Sequence, residues 1–273
     1  MKRILTTQDI SCLGQCSLTV ALPIISAFGV EASVLPTAVL STHTMFKNFT
    51  FCDLTEEMPK IENHWIDENL KFDGFYTGYI GSIKQIEYIS SIMDSCGNDD
   101  CIKVVDPCMA DHGKLYPGFS TEFPQEMLKL CKKANVVVPN LTEACLLLGI
   151  EYREYNKEEL EQISIKLAEI TNANVILTGV SFEENKLGSL VYNNETKTID
   201  YYFTNKIPTM FHGTGDCFAS ALFGALIKGY SLVEANKIAC EFTSKAIAET
   251  YDDKDEHWYG VHFEKTLKYL TNL

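Results

Sequence analysis

The chain predicts an α/β fold built on a mostly parallel central sheet with an antiparallel hairpin at one edge. Short β-branched apolar runs alternate with helical patterns, the signature of βα units around a parallel sheet. Several helical patterns also open on a readable cap. Between Leu187 and Met210 the pattern changes to residue-by-residue alternation around the polar turn Asn193-Asn194-Glu195-Thr196, which reads as an edge hairpin. With 273 residues, 46% of them hydrophobic, folding buries roughly 75% of the unfolded surface. One domain spanning residues 1–273 therefore suffices, and no repeat, linker or low-complexity segment divides it.

Strands are expected at Arg3–Thr7, Ser33–Leu40, Gly74–Thr77, Lys103–Asp106, Val136–Pro139 and Val175–Thr178, each a short run rich in Val, Ile, Leu or aromatic residues. Ser82-x-x-Gln85 opens a helix whose Ile83, Ile86, Ile89 and Met93 share a face. Asn156-x-x-Glu159 opens another with Leu160, Ile163, Leu167 and Ile170, and Ser231-x-x-Glu234 a third. Asn140 and Thr142 precede a short helix at Glu143–Leu148. The hairpin strands are Ser189–Tyr192 and Ile199–Phe203. After them Phe218, Leu222 and Leu226 recur at helical spacing until Gly229.

Composition excludes several functions. Lys and Arg total 23 against 37 Asp and Glu, a formal net charge of -14, which argues against nucleic acid and anionic membrane surfaces as partners. Met1-Lys2-Arg3-Ile4-Leu5-Thr6-Thr7 lacks the apolar core of a signal peptide, and no apolar run approaches membrane-spanning length. A cytoplasmic location is expected. The ten cysteines are scattered, several within apolar periodic segments (Cys131, Cys145, Cys217, Cys240), as suits buried thiols in a reducing compartment. No C-x-x-C pair exists and Cys12 with Cys16 has no histidine at zinc spacing, so no structural zinc is expected.

The segment Phe211-His212-Gly213-Thr214-Gly215-Asp216 places two glycines, a hydroxyl and an acid directly before a helix. Two readings stand side by side. Thr214 and Asp216 are ordinary helix-capping types. Equally, the glycines let the backbone approach a ligand, and the free N–H groups at a helix start, with roughly half a positive charge, hold a transferring phosphoryl group beside the acid. Asp9, Tyr79, Asp106, Asn140 and Thr178 all fall at or just past expected strand ends, the rim where such sheets bind ligands.

Taken together, Thr77-Gly78-Tyr79-Ile80-Gly81-Ser82, Asp106-Pro107-Cys108-Met109-Ala110-Asp111-His112-Gly113, Pro139-Asn140-Leu141-Thr142-Glu143, Leu177-Thr178-Gly179 and Gly213-Thr214-Gly215-Asp216 resemble the pyridoxal kinases of the ribokinase superfamily in order and spacing over nearly the whole chain. Thr42-His43-Thr44 resembles their Asn-His-Thr segment. The resemblance implies a three-layer α/β/α sandwich, a homodimer, and transfer of the γ-phosphoryl of ATP to the 5′-hydroxymethyl of pyridoxal, pyridoxamine or pyridoxine. It implies Asp216 as base, with Gly213, Thr214 and Gly215 holding the phosphoryl oxygens. Asp106, Asn140, Glu143, Thr178, Gly179 and Thr214 fall on the ATP side. Glu143, Asp106 and Asp111 supply oxygens for Mg²⁺, carried as Mg-ATP, although Glu143 also reads as part of a capping box. Asp9, Thr42, His43 and Tyr79 fall on the substrate side. Residues 111–119 correspond to a flap, too rich in glycine and proline for helix or strand, from which Lys114 is a candidate to reach a phosphate. The region of Asp252–Glu256 borders adenine in that superfamily, with Trp258 and Tyr259 as candidate neighbours. A monovalent cation such as K⁺ is left open.

The chain departs from that pattern on the substrate side. Gln8-Asp9 stands where a serine is usual, and Gly14-Gln15-Cys16-Ser17-Leu18 replaces Gly-His-Val-Gly-Asn. A carboxylate at Asp9 would pair with a protonated pyridine nitrogen more strongly than a hydroxyl; the other reading is a cap on the following turn. Cys108 and Ala110 replace Val and Gly. A hydroxymethylpyrimidine kinase, or another small-alcohol kinase of the same superfamily, shares the same ATP half. A silent vitamin- or nucleotide-binding protein would be favoured only if Asp216 or its glycines were missing.

Overall fold

The computed structural model describes residues 1–273. In chain order it contains β1 (Arg3–Ser11), α1 (Leu18–Ala27), β2 (Glu31–Leu40), β3 (Phe51–Asp53), α2 (Met58–Asp67), β4 (Phe72–Thr77), α3 (Ile83–Ser95), β5 (Gly97–Val105), β6 (Ala110–Asp111), β7 (Lys114–Leu115), α4 (Phe123–Cys131), β8 (Val136–Val137), α5 (Leu141–Leu148), α6 (Lys157–Thr171), β9 (Asn174–Val180), β10 (Lys186–Asn193), β11 (Thr198–Asn205), α7 (Thr214–Lys228), α8 (Leu232–Thr250) and α9 (Leu267–Thr271). Nine strands form one sheet in the order β11-β10-β9-β8-β5-β4-β1-β2-β3. From β9 to β2 every pairing is parallel; β10, β11 and β3 add antiparallel edges.

The three layers follow from strand alternation. Leu5, Phe75, Val105, Val137, Val175, Leu177 and Leu190 point to one core, shared with α3, α4, α5 and α6. Their neighbours Ile4, Tyr76, Val104, Val136, Ile176 and Val191 point to the other, shared with α1, α7 and α8. Buried on both faces, the central strands read as continuous apolar runs. Four of the helix starts carry side-chain caps. Asn140 with Glu143, Asn156 with Glu159 and Ser231 with Glu234 close reciprocal capping boxes. Ser82 caps α3, but Gln85 is buried and bonds instead to Gly81 N–H, the Thr37 carbonyl and the Thr55 hydroxyl.

Several boundaries differ from expectation. β1 runs on to Ser11 because Ile10 and Ser11 pair with Val39 and Leu40 after a register irregularity that sets Thr37 and Ala38 opposite Asp9. Asp9 is thus inside a strand, not past its end. β9 continues to Val180, so Thr178 is internal, and the skipped register at Gly179 (φ 72) makes a bulge. β5 ends at Val105, one residue before Asp106, but begins at Gly97, in a polar stretch that carries no strand signal. The flap segment does contain strands: β6 and β7 pair around His112 (φ 48) and Gly113 (φ 78), the positive angles of a tight hairpin turn. Helices α1, α2, α4 and α9 were not legible. α1 is almost wholly apolar and carries Pro23 inside, so no polar face marks its period.

Phe223 on α7 is fully buried against Tyr76 of β4, with ring centroids 5.7 Å apart. Phe223→Ala is expected to lower unfolding free energy by about 3–5 kcal/mol in urea denaturation. Val233→Ala, at an exposed turn of α8, should change it by no more than about 0.5 kcal/mol.

Candidate active site

The carboxyl edge of the parallel strands collects the polar residues. Asp9 comes from β1, His43 from the loop after β2, Tyr79 follows β4, Asp106 follows β5, Asn140 precedes α5, and Asp216 lies in the first turn of α7. Backbone hydrogen bonds between neighbouring segments tie this edge together: Asp106 N–H donates to Thr77 O (3.0 Å), and Thr178 N–H to Pro139 O (3.0 Å), next to Asn140.

The catalytic-type turn is built by Gly213. Its φ is 78°, and a Cβ there would come 1.8 Å from the Gln15 carbonyl oxygen, so only glycine fits. Gly213 is the N-cap of α7 and no side chain caps this helix. Thr214 instead donates its hydroxyl to Phe211 O at 3.3 Å, and Asp216 accepts Ser17 N–H at 2.9 Å. The ordinary capping reading of Thr214 and Asp216 therefore fails. The leading N–H groups of a four-turn helix meet no side-chain acceptor, and nothing lies within 4 Å of a Cβ built on Gly215. Such a terminus favours an anion.

Asp216 is enclosed by protein on nearly every side, while the residue remains reachable from the rim. Burial pushes its carboxyl up to about 7, with the nearby Asp9 adding to the rise and the Ser17 N–H opposing it. Asp106 is raised well above the usual carboxylate range by burial, then by Glu143 and by Asp216. No donor reaches its carboxylate. Glu143 is raised to about 8 by burial, although it accepts N–H from Asn140 (2.8 Å) and Met109 (3.1 Å). Cys108 is held neutral by burial and by these same acids.

The other expected ATP-side residues are engaged within the protein. The Asn140 amide accepts Glu143 N–H (3.0 Å) and donates to Ala110 O (2.8 Å), and Thr178 donates to Pro139 O at 3.3 Å. Asp111 is half-exposed beside His112. Gly113 N–H donates to the Thr142 hydroxyl, so the β6–β7 hairpin is tied to the start of α5, and Phe119 bridges Tyr79 and Phe123. No three His, Cys, Asp or Glu side chains are arranged to hold a metal ion by themselves. A Mg²⁺ ion carried on phosphates would need few protein carboxylates and would keep waters of its own; Asp106, half-buried and accepting no hydrogen bond, is the carboxylate that could meet one.

On the substrate side, Asp9 accepts hydroxyls from Ser17 (2.5 Å) and Ser11 (3.0 Å), and burial raises it. His43 accepts Met45 N–H at Nδ1 (3.2 Å), and its Nε2 faces the Tyr259 carbonyl (3.0 Å), which only accepts. Its ring is thereby fixed as the neutral Nε2–H tautomer, with burial lowering its proton affinity. It is a wall, not a base. Thr42 is half-buried beside it. Tyr79 is half-buried, and its phenol is pushed up to about 12 by burial, then by Asp9 and Cys108.

Four residues enter the site unforeseen. His212 packs on His43 with centroids 4.3 Å apart, and burial holds it neutral, down to about 4. Ser17 joins Asp9 to Asp216. Gln15 bonds Glu264 (2.6 Å) and His257 (2.6 Å) while its carbonyl abuts Gly213. Phe46 packs on Trp258 at 4.6 Å. Trp258 and Tyr259 thus lie against the His43–Phe46 loop. The altered Gly14–Leu18 stretch was the one available signal for Gln15 and Ser17.

Comparison with known proteins agrees with this architecture. Residues 22–259 match the phosphomethylpyrimidine kinase family. The chain is 25% identical to a pyridoxal kinase of Arabidopsis thaliana, over 92% of this chain and 83% of that protein. It is 28% identical to a hydroxymethylpyrimidine/phosphomethylpyrimidine kinase of Bacillus subtilis, over 77% and 76%. Among solved structures, a candidate phosphomethylpyrimidine kinase of Bacteroides thetaiotaomicron crystallised with pyridoxal is 38% identical, with a TM-score of 0.94 over 98% of this chain and 95% of that one. A pyridoxal kinase of Lactobacillus plantarum is 30% identical, TM-score 0.92, over 99% and 96%. No helix is long and apolar enough to cross a membrane. The chain belongs to the phosphomethylpyrimidine kinase family, alongside pyridoxal kinases, and is a ribokinase-like kinase of small alcohols.

Proposed function

We propose that this chain transfers the γ-phosphoryl group of ATP to the 5′-hydroxymethyl group of a vitamin B6 vitamer, acting as a cytoplasmic homodimer. The observation that carries the reading is Asp216, a carboxyl tuned to about 7 at the uncapped N-terminus of α7. A general base works best when its proton affinity matches the working pH. Asp216 would take the proton of the attacking hydroxyl, and Gly213, Thr214 and Gly215 would steady the equatorial phosphoryl oxygens with N–H groups already in place. Mg²⁺ bound with ATP would offset phosphate charge. Asp106 would hold it directly and Glu143, whose oxygens already accept two backbone N–H groups, through water.

Asp9 supports the pyridine substrate. A buried carboxylate held by two hydroxyls suits a protonated ring nitrogen, and the neutral His43 and the Tyr79 ring offer flat walls. The Bacteroides protein crystallised with pyridoxal, at 38% identity, adds weight. A hydroxymethylpyrimidine kinase is the second reading, favoured by the family match and the Bacillus subtilis relative; the two share every step except the ring that carries the hydroxyl.

ADP release from Mg-ATP, measured in parallel with pyridoxal, pyridoxamine, pyridoxine and hydroxymethylpyrimidine, should be confined to the B6 vitamers, with a phosphorylated product by mass. Turnover only with hydroxymethylpyrimidine replaces the substrate and keeps the chemistry. Asp216→Ala should abolish turnover while retaining the circular dichroism spectrum, and near-normal turnover would refute its role. Because the native Asp216 carboxyl is raised from 3.8 to about 7, the folded state holds a proton that the unfolded state has released across that window, and stability falls as pH rises through it. Asp216→Asn should therefore unfold at a higher temperature than the parent at pH 8, with the gap narrowing as pH falls through 5 and closing only below about pH 4, where the unfolded carboxyl is protonated as well.

A further inference from the structure

Ser17 opens α1 yet does not cap it. A serine in this position usually has extended backbone angles and accepts an N–H of the first helical turn. Here φ is 53° and ψ −134°, and no side-chain capping bond forms. The hydroxyl donates instead to Asp9 Oδ1 at 2.5 Å, and the N–H of the same residue donates to Asp216 Oδ2 at 2.9 Å. Backbone held in a sparsely populated region at the centre of a site is conformational strain retained by its surroundings. The surroundings are explicit. Ser17 O accepts Ala21 N–H at 2.9 Å to start the helix, Ser17 is 6% exposed, and the buried Cys16 thiol sits within reach of both acids.

We propose that Ser17 is the positioning residue that sets the ring-binding acid Asp9 and the base Asp216 in one fixed geometry, so that a substrate anchored through its ring presents its hydroxyl to the base. The proposal rests on the kinase reading above. One residue with two donors makes the distance between the two carboxylates a property of a single strained backbone unit, not of two independent loops. Ser11 holds only the other oxygen of Asp9, Oδ2, and makes no hydrogen bond to Asp216.

Ser17→Gly separates this role from folding. Glycine adopts the observed angles without strain and is tolerated at a helix start, so the variant should unfold at or above the parent temperature. Losing a hydrogen bond to a charged group, it should nonetheless raise the KM for the alcohol about 10-fold or more, leave the KM for ATP within about twofold, and match Ser17→Ala in both. In an Asp9→Asn background the same change should cost less than about twofold, because the partner it acts through is already altered. Equal losses in both backgrounds, or parallel rises in both KM values, would overturn the proposal. Should the parent phosphorylate none of the alcohols, the kinase reading fails by that result alone. The bridge is then judged by the same cycle on thermal unfolding: non-additive midpoints of Ser17→Ala and Asp9→Asn uphold it, additive ones overturn it.

Discussion

Four carboxyl groups sit at the carboxyl edge of the sheet, and the loss of water around them, with repulsion added at Asp106 and Asp216, is the constraint around which the rest is arranged. Asp9, Asp106, Glu143 and Asp216 are all raised by burial, and Asp106 and Asp216 are raised further by their acidic neighbours. Left alone, such a cluster would be destabilising. The fold offsets it with donors: backbone N–H groups of Asn140 and Met109 on Glu143, Ser17 N–H on Asp216, and two serine hydroxyls on Asp9. Asp106 alone is left without one. A site of this kind favours a ligand that brings positive charge with it; under the proposed function, that would be a metal ion carried on phosphates and a protonated ring nitrogen at Asp9.

Rigid elements divide the labour. The β6–β7 hairpin, the start of α5 and the bulge at Gly179 form one half of the cleft; β1, the loop after β2 and the segment around Tyr259 form the other. α7 enters between them, its first turn wedged against Gln15 through Gly213. Side chains placed by helix starts and strand ends are held more closely than those on free loops, and in-line transfer tolerates little misplacement.

Much of this was legible in residue patterns. The parallel core was visible because strands buried on both faces are apolar runs, and the reciprocal capping boxes of α5, α6 and α8 were spelled out in sequence. The edge hairpin β10–β11 followed from its alternation. Asp216 and its glycines stood out because helix starts have a short vocabulary. The misses have physical causes. α1 has no polar face and contains Pro23, and β5 begins at Gly97, which pairs with Phe72, before the polar residues Asn98, Asp99 and Asp100 bulge out and pairing with β4 resumes at Ile102. The Asp9 position turned on a register irregularity with β2, which is a tertiary event. Ser17, His212 and Gln15 act across the chain: Ser17 and Asp216 lie 199 residues apart, and no local pattern records that meeting.

The central claim is that Asp216 collects the substrate proton in the transfer step. Its most direct test is the pH dependence of single-turnover phosphoryl transfer to pyridoxal at saturating Mg-ATP, followed from pH 5 to 9. The account predicts a rate that rises with pH through a single ionisation near 7, where the enclosed carboxyl releases its proton. A flat profile across that range, or an ionisation near the ordinary carboxylate value, would contradict it.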